Sequence, residues 1–349
     1  MSSTRRTFIK ATVTTGGMAA LVGPNLKLAA ASDFSPSYLE LQSKGLLSER
    51  AEQLYQQYQA CELCPHRCGG NRTAGEHGLC DAGDRVRVYS HTPHFGEELP
   101  LVGRRGSGTI FFSHCNLRCV FCQNWPIAHE GRGRLVSDAD LAGMMMDLQR
   151  RGCHNINLVT PTHVLPNIVR AVELAARRGL RLPLVYNSSG FERVEIVRLL
   201  DGIIDIYLPD LKFMDGEQAS RYAMPGAVNY PAMAQAAIKE MHRQVGELVV
   251  DEQGIALRGL MVRHLVMPNR VAGTRAFVEW VAEHLSSDTY VNIMPQWRVE
   301  HQAFEHEPIA RGIHSEEFLE AMRWAREAGL RNFDERALAA ERVHLRRQS

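Results

Sequence analysis

From about residue 107 to residue 294, short apolar runs alternate with stretches of helical periodicity, and this alternation constrains the fold more than any other property of the 349-residue chain. Residues 109–113 read as a strand. Ser137 then reads as a helix N-cap with Asp140 three positions on, and Leu141, Met144, Met145 and Leu148 follow at helical spacing until Gly152. The methionines in that run fit a buried stripe. Residues 156–160 are the next strand, and Pro166 opens a helix carrying Ile168, Val172 and Ala175 on one face, ended by Gly179. Strands at 182–187, 203–210, 260–267 and 290–294 continue the cycle, with helices at 192–200, 231–243 and 274–285. A last helix at 315–328 stops at Gly329. Segments 248–250 and 255–257, flanking Asp251-Glu252-Gln253-Gly254, read as a hairpin insertion. Six β/α units imply a parallel sheet with helices outside it. Periodicity does not separate a curled partial (β/α)6 barrel from a flat sheet, but the polar residues at strand ends do favour one. Cys115, Thr160 and Thr162, Asn187 and Ser188, Asp210 and Lys212, and Gln296 all fall where strands give way to loops, as residues around one barrel mouth do.

The first strand runs into Cys115-Asn-Leu-Arg-Cys119-Val-Phe-Cys122. Three thiolates at this spacing can hold three irons of a [4Fe–4S] cluster and leave the fourth without a protein ligand. Electron carriers close such clusters with four cysteines, whereas an open position binds and activates a ligand, as on catalytic zinc. No Cys or His stands at ribbon or finger distance downstream to complete a zinc site. A second group, Cys61-x2-Cys64-x3-Cys68-x11-Cys80, has enough thiolates to close a site fully, as a structural zinc or a second [4Fe–4S] cluster. Three tightly spaced cysteines and a distant fourth lean towards iron–sulfur. Cys153 stands apart and reads as a buried small hydrophobe. His91 and His94, between the two groups, read as loop residues.

Basic and acidic residues nearly cancel (40 against 39, net +1), so no basic field argues for nucleic acid. Thr4-Arg5-Arg6-Thr7-Phe8-Ile9-Lys10 resembles the twin-arginine export motif. A modestly apolar stretch follows, with Ala29-Ala30-Ala31 as a small-residue cleavage site. That stretch carries three threonines, Pro24 and Lys27, which make it too polar for a stable membrane span. The chain thus divides into a twin-arginine-type segment (1–31), a helical and Cys-rich N-terminal module (32–105, with helices within 38–58), a core (106–300) and a C-terminal helical extension (301–349). The arginines of 336–347 read as a solvated helix face.

The cysteine loop, with apolar Phe121 inside it and Gln123-Asn124-Trp125 after it, resembles the signature of radical S-adenosylmethionine (radical SAM) enzymes. From Gly106 onward the chain resembles the branch containing pyruvate formate-lyase activating enzyme. Asn187-Ser188-Ser189-Gly190-Phe191 is similar to a strand-ending Asp-Thr-Asn-Gly segment there, Asp210-Leu211-Lys212 matches its Asp-Leu-Lys, and residues 262–268 resemble its Ile-Arg-to-Pro strand. Activase-like proteins with an N-terminal four-cysteine block carry the same C-x2-C-P-x2-C pattern and Val-Thr-Pro-Thr-His segment. Two departures stand out: Thr160-Pro161-Thr162-His163 replaces a Gly-Gly-Glu that contacts the SAM amino group, and Trp297 stands where the activating enzyme has histidine.

The resemblance implies a TIM-like partial barrel of the radical SAM type and an open iron that chelates SAM. One-electron cleavage of SAM then gives methionine and a hydrogen-abstracting 5′-deoxyadenosyl radical. It implies that Asn187, Ser188, Asp210, Lys212 and Arg263 bind SAM, with Asp210 and Lys212 at the ribose and nearby polar atoms and Arg263 at the methionine carboxylate. The expected partners are a low-potential electron donor and a protein substrate whose glycine is activated. The alternatives are a small-molecule or peptide substrate, or an iron–sulfur electron carrier without SAM chemistry. His163 and His264 read as satisfied polar groups. The leader points to export, whereas SAM and low-potential electrons are cytoplasmic supplies.

Overall fold

A computed structural model describes residues 26–224 and 226–346; the twin-arginine motif at Arg5-Arg6 lies outside them. Six parallel strands form the centre: β1 (Ser107–Phe112), β2 (Ile156–Val159), β3 (Leu184–Ser188), β4 (Ile206–Pro209), β5 (Ala256–Leu265) and β6 (Tyr290–Met294). They pair in sequence order, and β1 does not pair with β6, so the curled sheet stays open there. The partial barrel expected from the polar strand ends is the architecture found.

Local sequence explains the helices that cover it. Ser137 Oγ accepts from Asp140 N at 3.1 Å and the Asp140 carboxylate accepts from Ser137 N at 3.0 Å, which satisfies two orphan donors at the start of Asp138–Arg150. That helix buries Leu141, Met145 and Leu148 completely, each contributing about 1.5–3 kcal/mol by leaving water. The helix Leu165–Arg177 packs beside it and also receives the N-terminal helices Tyr38–Ser43 and Leu46–Gln56. Asp205 accepts from Ser37 N and Leu184 N, tying the start of this module to the barrel.

Four readings need correction. The hairpin at 248–257 forms, 249–250 pairing antiparallel with 256–258, but its second arm is not a separate insertion: it is the beginning of β5, which runs unbroken from Ala256 to Leu265. Gly259, at φ 129°, allows this continuity, because a Cβ there would meet the Glu247 carbonyl at 2.5 Å. His91 and His94 lie in a nine-residue strand, Val86–His94, antiparallel to β1, rather than in a loop. The helix expected at 192–200 is only Val194–Arg198. Finally, Arg336 is not part of a solvated face: it crosses the open side of the sheet and donates to the carbonyls of Phe95 and Gly96.

Those contacts matter because residues 95–102, after the antiparallel strand, turn into the barrel. Leu101 packs with Val185, Ile206, Leu208, Met261 and Tyr290 as the inner apolar layer, and Asn155 Nδ2 donates to the Leu101 carbonyl at 2.8 Å. The segment is a plug that closes the lower barrel. Among the described residues no helix is long and apolar enough to cross a membrane.

Candidate active site

Strand register decides which side chains face the barrel interior. Thr109 stands opposite Asn157, Val159 opposite Asn187, Asn187 opposite Leu208, Asp210 opposite Arg263, and Arg263 opposite Asn292. Because alternate residues share a face, all six strands send a polar group into the barrel interior: Thr109, Asn157, Asn187, Asp210, Arg263 and Asn292, with Thr109 and Asn157 in register with Val185, a step below Asn187. The cysteine loop leaves the upper end of β1 beside them.

Three anchors shape that loop. Leu117 is fully buried; Asn116 Nδ2 donates to the Phe191 carbonyl at 2.8 Å; Phe121 packs against Trp297 at 5.1 Å and Phe213 at 6.0 Å. The hydrophobe between the second and third cysteines is therefore the pin that fixes the loop, and Trp297 is its neighbour. Gln302 N donates to the Val120 carbonyl at 2.8 Å, so the chain after β6 crosses the loop. None of the three cysteines is in a disulfide. Burial pushes the Cys119 thiol far up, Lys212 opposes this, and Cys115 and Cys122 add to it. Burial and Cys115 push Cys122 up to about 11. Three electrostatically coupled thiols with a nearby ammonium suit an anionic metal cluster, which ionises its ligands.

Asp210 is the hub of the polar side. It accepts from Lys212 Nζ at 2.5 Å and from Arg263 Nε at 2.8 Å, and Arg263 Nη2 donates to Asn187 Oδ1 at 2.6 Å. Burial works against the Asp210 charge, but Arg263 and Lys212 outweigh it and hold the carboxyl below its usual range. Gly190 lets the chain pass: a Cβ there would lie 2.1 Å from the Asp210 carbonyl oxygen. The Tyr230 hydroxyl sits between the Ser189 and Asp210 carbonyls and takes the Lys212 N–H at 2.9 Å. Asn187, Asp210, Lys212 and Arg263 thus converge. Ser188 lies on the opposite face, its Oγ accepting from Gly190 N at 3.2 Å.

Other strand-end residues serve the framework. Thr162 Oγ1 donates to Glu192 Oε1 at 2.6 Å. His264 is shared between the Leu211 carbonyl and Thr274, and His163 donates to the Ser113 carbonyl at 2.7 Å. Burial pushes His163 down to about 3 and His264 to about 4, so both rings are neutral. Thr160 ends β2 at φ 60°, a strained conformation for a β-branched residue, where the Gly-Gly-Glu is absent.

Cys61, Cys64 and Cys80 are buried and Cys68 is exposed. A Cβ on Gly78 would lie 3.0 Å from Cys68 Sγ and 3.6 Å from Cys80 Sγ, so glycine keeps the space those sulfurs share. Arg72 is 1% exposed. Its guanidinium donates to the Gly83 carbonyl and, at 2.7 Å, to the His163 carbonyl, lies 3.8 Å from Cys61 Sγ and sits 4.1 Å over the Tyr58 ring. No carboxylate pairs with it among the described residues; the acidic groups that act on it are Tyr58, Cys80 and Cys61. The two cysteine loops also touch, His66 Nε2 meeting the Asn116 carbonyl at 2.8 Å. Among the described residues no three His, Cys, Asp or Glu groups stand at single-ion spacing.

Sequence reading missed Glu97, Glu98, Asn157, Asn292 and Arg72. Alternation in Asn155-Ile156-Asn157 and the acidic pair before Leu99-Pro100 were the available signals. A groove of about 970 Å³ lies at the other end of the barrel, against Arg104, His154 and Phe333. It sits at the strand N-termini, where barrels keep stability rather than chemistry.

The radical SAM superfamily model matches residues 109–250, from β1 through the strands that carry Asn187 and Asp210. An uncharacterised protein of Methanocaldococcus jannaschii is 31% identical over 310 residues, covering 85% of this chain and 83% of that one. The chain belongs to the radical SAM superfamily. Similar solved structures include a radical SAM methyltransferase from Sphaerobacter thermophilus (TM-score 0.46, 15% identity, 87% of this chain and 94% of that one). Native anSMEcpe with bound AdoMet aligns at TM-score 0.42 and 10% identity over 62% of this chain and 57% of that one. HydG, a maturase of the [FeFe]-hydrogenase, aligns at 0.44 and 11% over 63% and 48%, so this chain spans about half the length of these last two.

Proposed function

We propose that this chain cleaves SAM reductively and uses the resulting radical to take a hydrogen atom from a substrate held in the barrel mouth. The observation that carries the reading is the convergence of Cys115, Cys119 and Cys122 with the Asp210–Lys212–Arg263–Asn187 network. Bound at the three thiolates, a [4Fe–4S] cluster with an open iron supplies the one-electron chemistry. The protein's own part is to hold SAM and keep water away. Arg263 pairs with the methionine carboxylate through charge-assisted bonds, and Asp210 accepts from ribose hydroxyls. Lys212 lowers the cost of gathering thiolates beside it. Cys61, Cys64, Cys68 and Cys80 hold a second [4Fe–4S] cluster: buried Arg72 needs an anionic partner, four ionised thiolates around such a cluster provide it, and three tightly spaced cysteines with a distant fourth favour iron–sulfur over zinc.

Two substrate readings differ. Activation of a protein glycine rests on the Asp210-Leu211-Lys212 match. Modification of a small molecule or peptide is favoured by the inward polar groups, since a glycine loop brings no side chain to use them. Anaerobic reconstitution, reduction and SAM addition should yield 5′-deoxyadenosine. A glycyl-radical EPR signal on a partner protein would select the first reading, and its absence with every candidate partner would remove it.

A further inference from the structure

We propose that Glu97 and Glu98, on the plug inside the barrel, form a recognition site for a cationic group of the substrate, an ammonium or a guanidinium. The inference rests on the radical SAM reading and adds the substrate's chemical class.

The plug holds the two carboxylates rigidly. Arg336 binds the backbone just before them, and Asn155 binds it just after, at Leu101. Glu97 meets Asn187 Nδ2 at 3.4 Å and Arg263 Nη1 at 3.5 Å; Glu98 Oε1 accepts from Asn292 Nδ2 at 2.8 Å. Both side chains therefore rise into the same layer as the SAM network, on its lower side.

That layer is short of donors. Glu98 is 3% exposed and its Oε2 has no hydrogen-bond partner. A carboxylate oxygen accepts only. Leaving a buried acceptor unpaired incurs the full desolvation penalty, so the missing component is a donor. Charge points the same way. The carboxylates of Glu97, Glu98, Asp210 and Asp334 act in this region against the cations Arg263, Lys212 and Arg336. Burial and the Glu98 carboxylate push Glu97 up to about 7, so the pair is under-neutralised near neutral pH. A SAM carboxylate taking Arg263 would remove a cation from Glu97 and deepen the deficit. A metal ion is the poorer occupant, because no three carboxylate, His or Cys groups here have single-ion spacing among the described residues. An ammonium or guanidinium brings several donors without that geometric demand.

The test uses the reconstituted holoprotein with SAM bound and unreduced. Calorimetry compares butylammonium and butylguanidinium with the neutral probes butanol and butyramide. At least one cation should bind saturably and the neutral probes at least tenfold more weakly, a comparison made on the wild-type chain and so independent of any variant's folding. E98Q should weaken the cation at least tenfold with SAM affinity within twofold of wild type, and E97Q should weaken the cation several-fold. Equal binding of neutral probes, an E98Q affinity unchanged from wild type, or a fall in SAM affinity parallel to that of the probe would overturn the proposal. 5′-Deoxyadenosine formation measured alongside separates the failures. Cleavage without cation preference removes only the carboxylate site, whereas no cleavage removes the radical reading while the binding result stands.

Discussion

The two cysteine loops touch through His66 and Asn116, yet they treat positive charge in opposite ways. Beside Cys115, Cys119 and Cys122 the cation is Lys212, already held by Asp210 and open to solvent over a fifth of its side chain. Among Cys61, Cys64, Cys68 and Cys80 it is Arg72, sealed from water and bound to carbonyls and sulfur, with no carboxylate partner among the described residues. The first arrangement keeps its charges exchangeable, which a site that admits SAM and substrate requires. The second fixes its charge permanently, which suits a metal group that stays put. Arg72 cannot deprotonate, whereas the mouth carries Glu97, which titrates near neutrality.

The largest effect expected is in the mouth. C119S should reduce 5′-deoxyadenosine to background and remove about four irons per chain; iron analysis and chromatography of the products check both. C80S should also remove about four irons but leave the EPR signal of the reduced mouth cluster. An unchanged iron count in C80S would abolish the contrast between the loops. R72M breaks a buried charge contact and should destabilise the holoprotein by about 3–5 kcal/mol, measured by urea unfolding. R72K should not rescue it, because a point charge cannot span the Gly83 and His163 carbonyls.

The smallest effect is in pH. Below about 7 Glu97 holds its proton and offers less charge to a cation. Affinity for butylammonium should therefore rise with pH through neutrality, by up to about tenfold between pH 6 and 8, then level off. E97Q should be flat over that range.

Much of this was readable from sequence because it depends on local rules. Ser137 with Asp140 announced a helix, the strand–helix cycle announced the sheet, and the Cys115 loop announced the superfamily. Asp210, Lys212 and Arg263, singled out through the strand ends and the family resemblance, do meet in one network. What escaped depends on long-range register. Asn157 and Asn292 look like ordinary strand residues until pairing puts them on the face that carries Asn187 and Arg263. Glu97 and Glu98 look like a solvated acidic pair until the preceding strand and Arg336 turn them inward. Arg72, in a Gly- and Arg-rich loop, carries no local mark of burial. His91 and His94 lie in a strand whose sequence includes Pro93, a residue that sheets admit at edges or irregular positions and that masks a strand pattern.

The most direct measurement is anaerobic reconstitution of the chain, with iron counted before reduction and 5′-deoxyadenosine quantified after SAM is added. About eight irons per chain with 5′-deoxyadenosine formed in wild type and lost in C119S is the predicted result. A full iron complement with no SAM cleavage, in the presence of reductant and substrate candidates bearing an ammonium or guanidinium, would contradict the account at its centre.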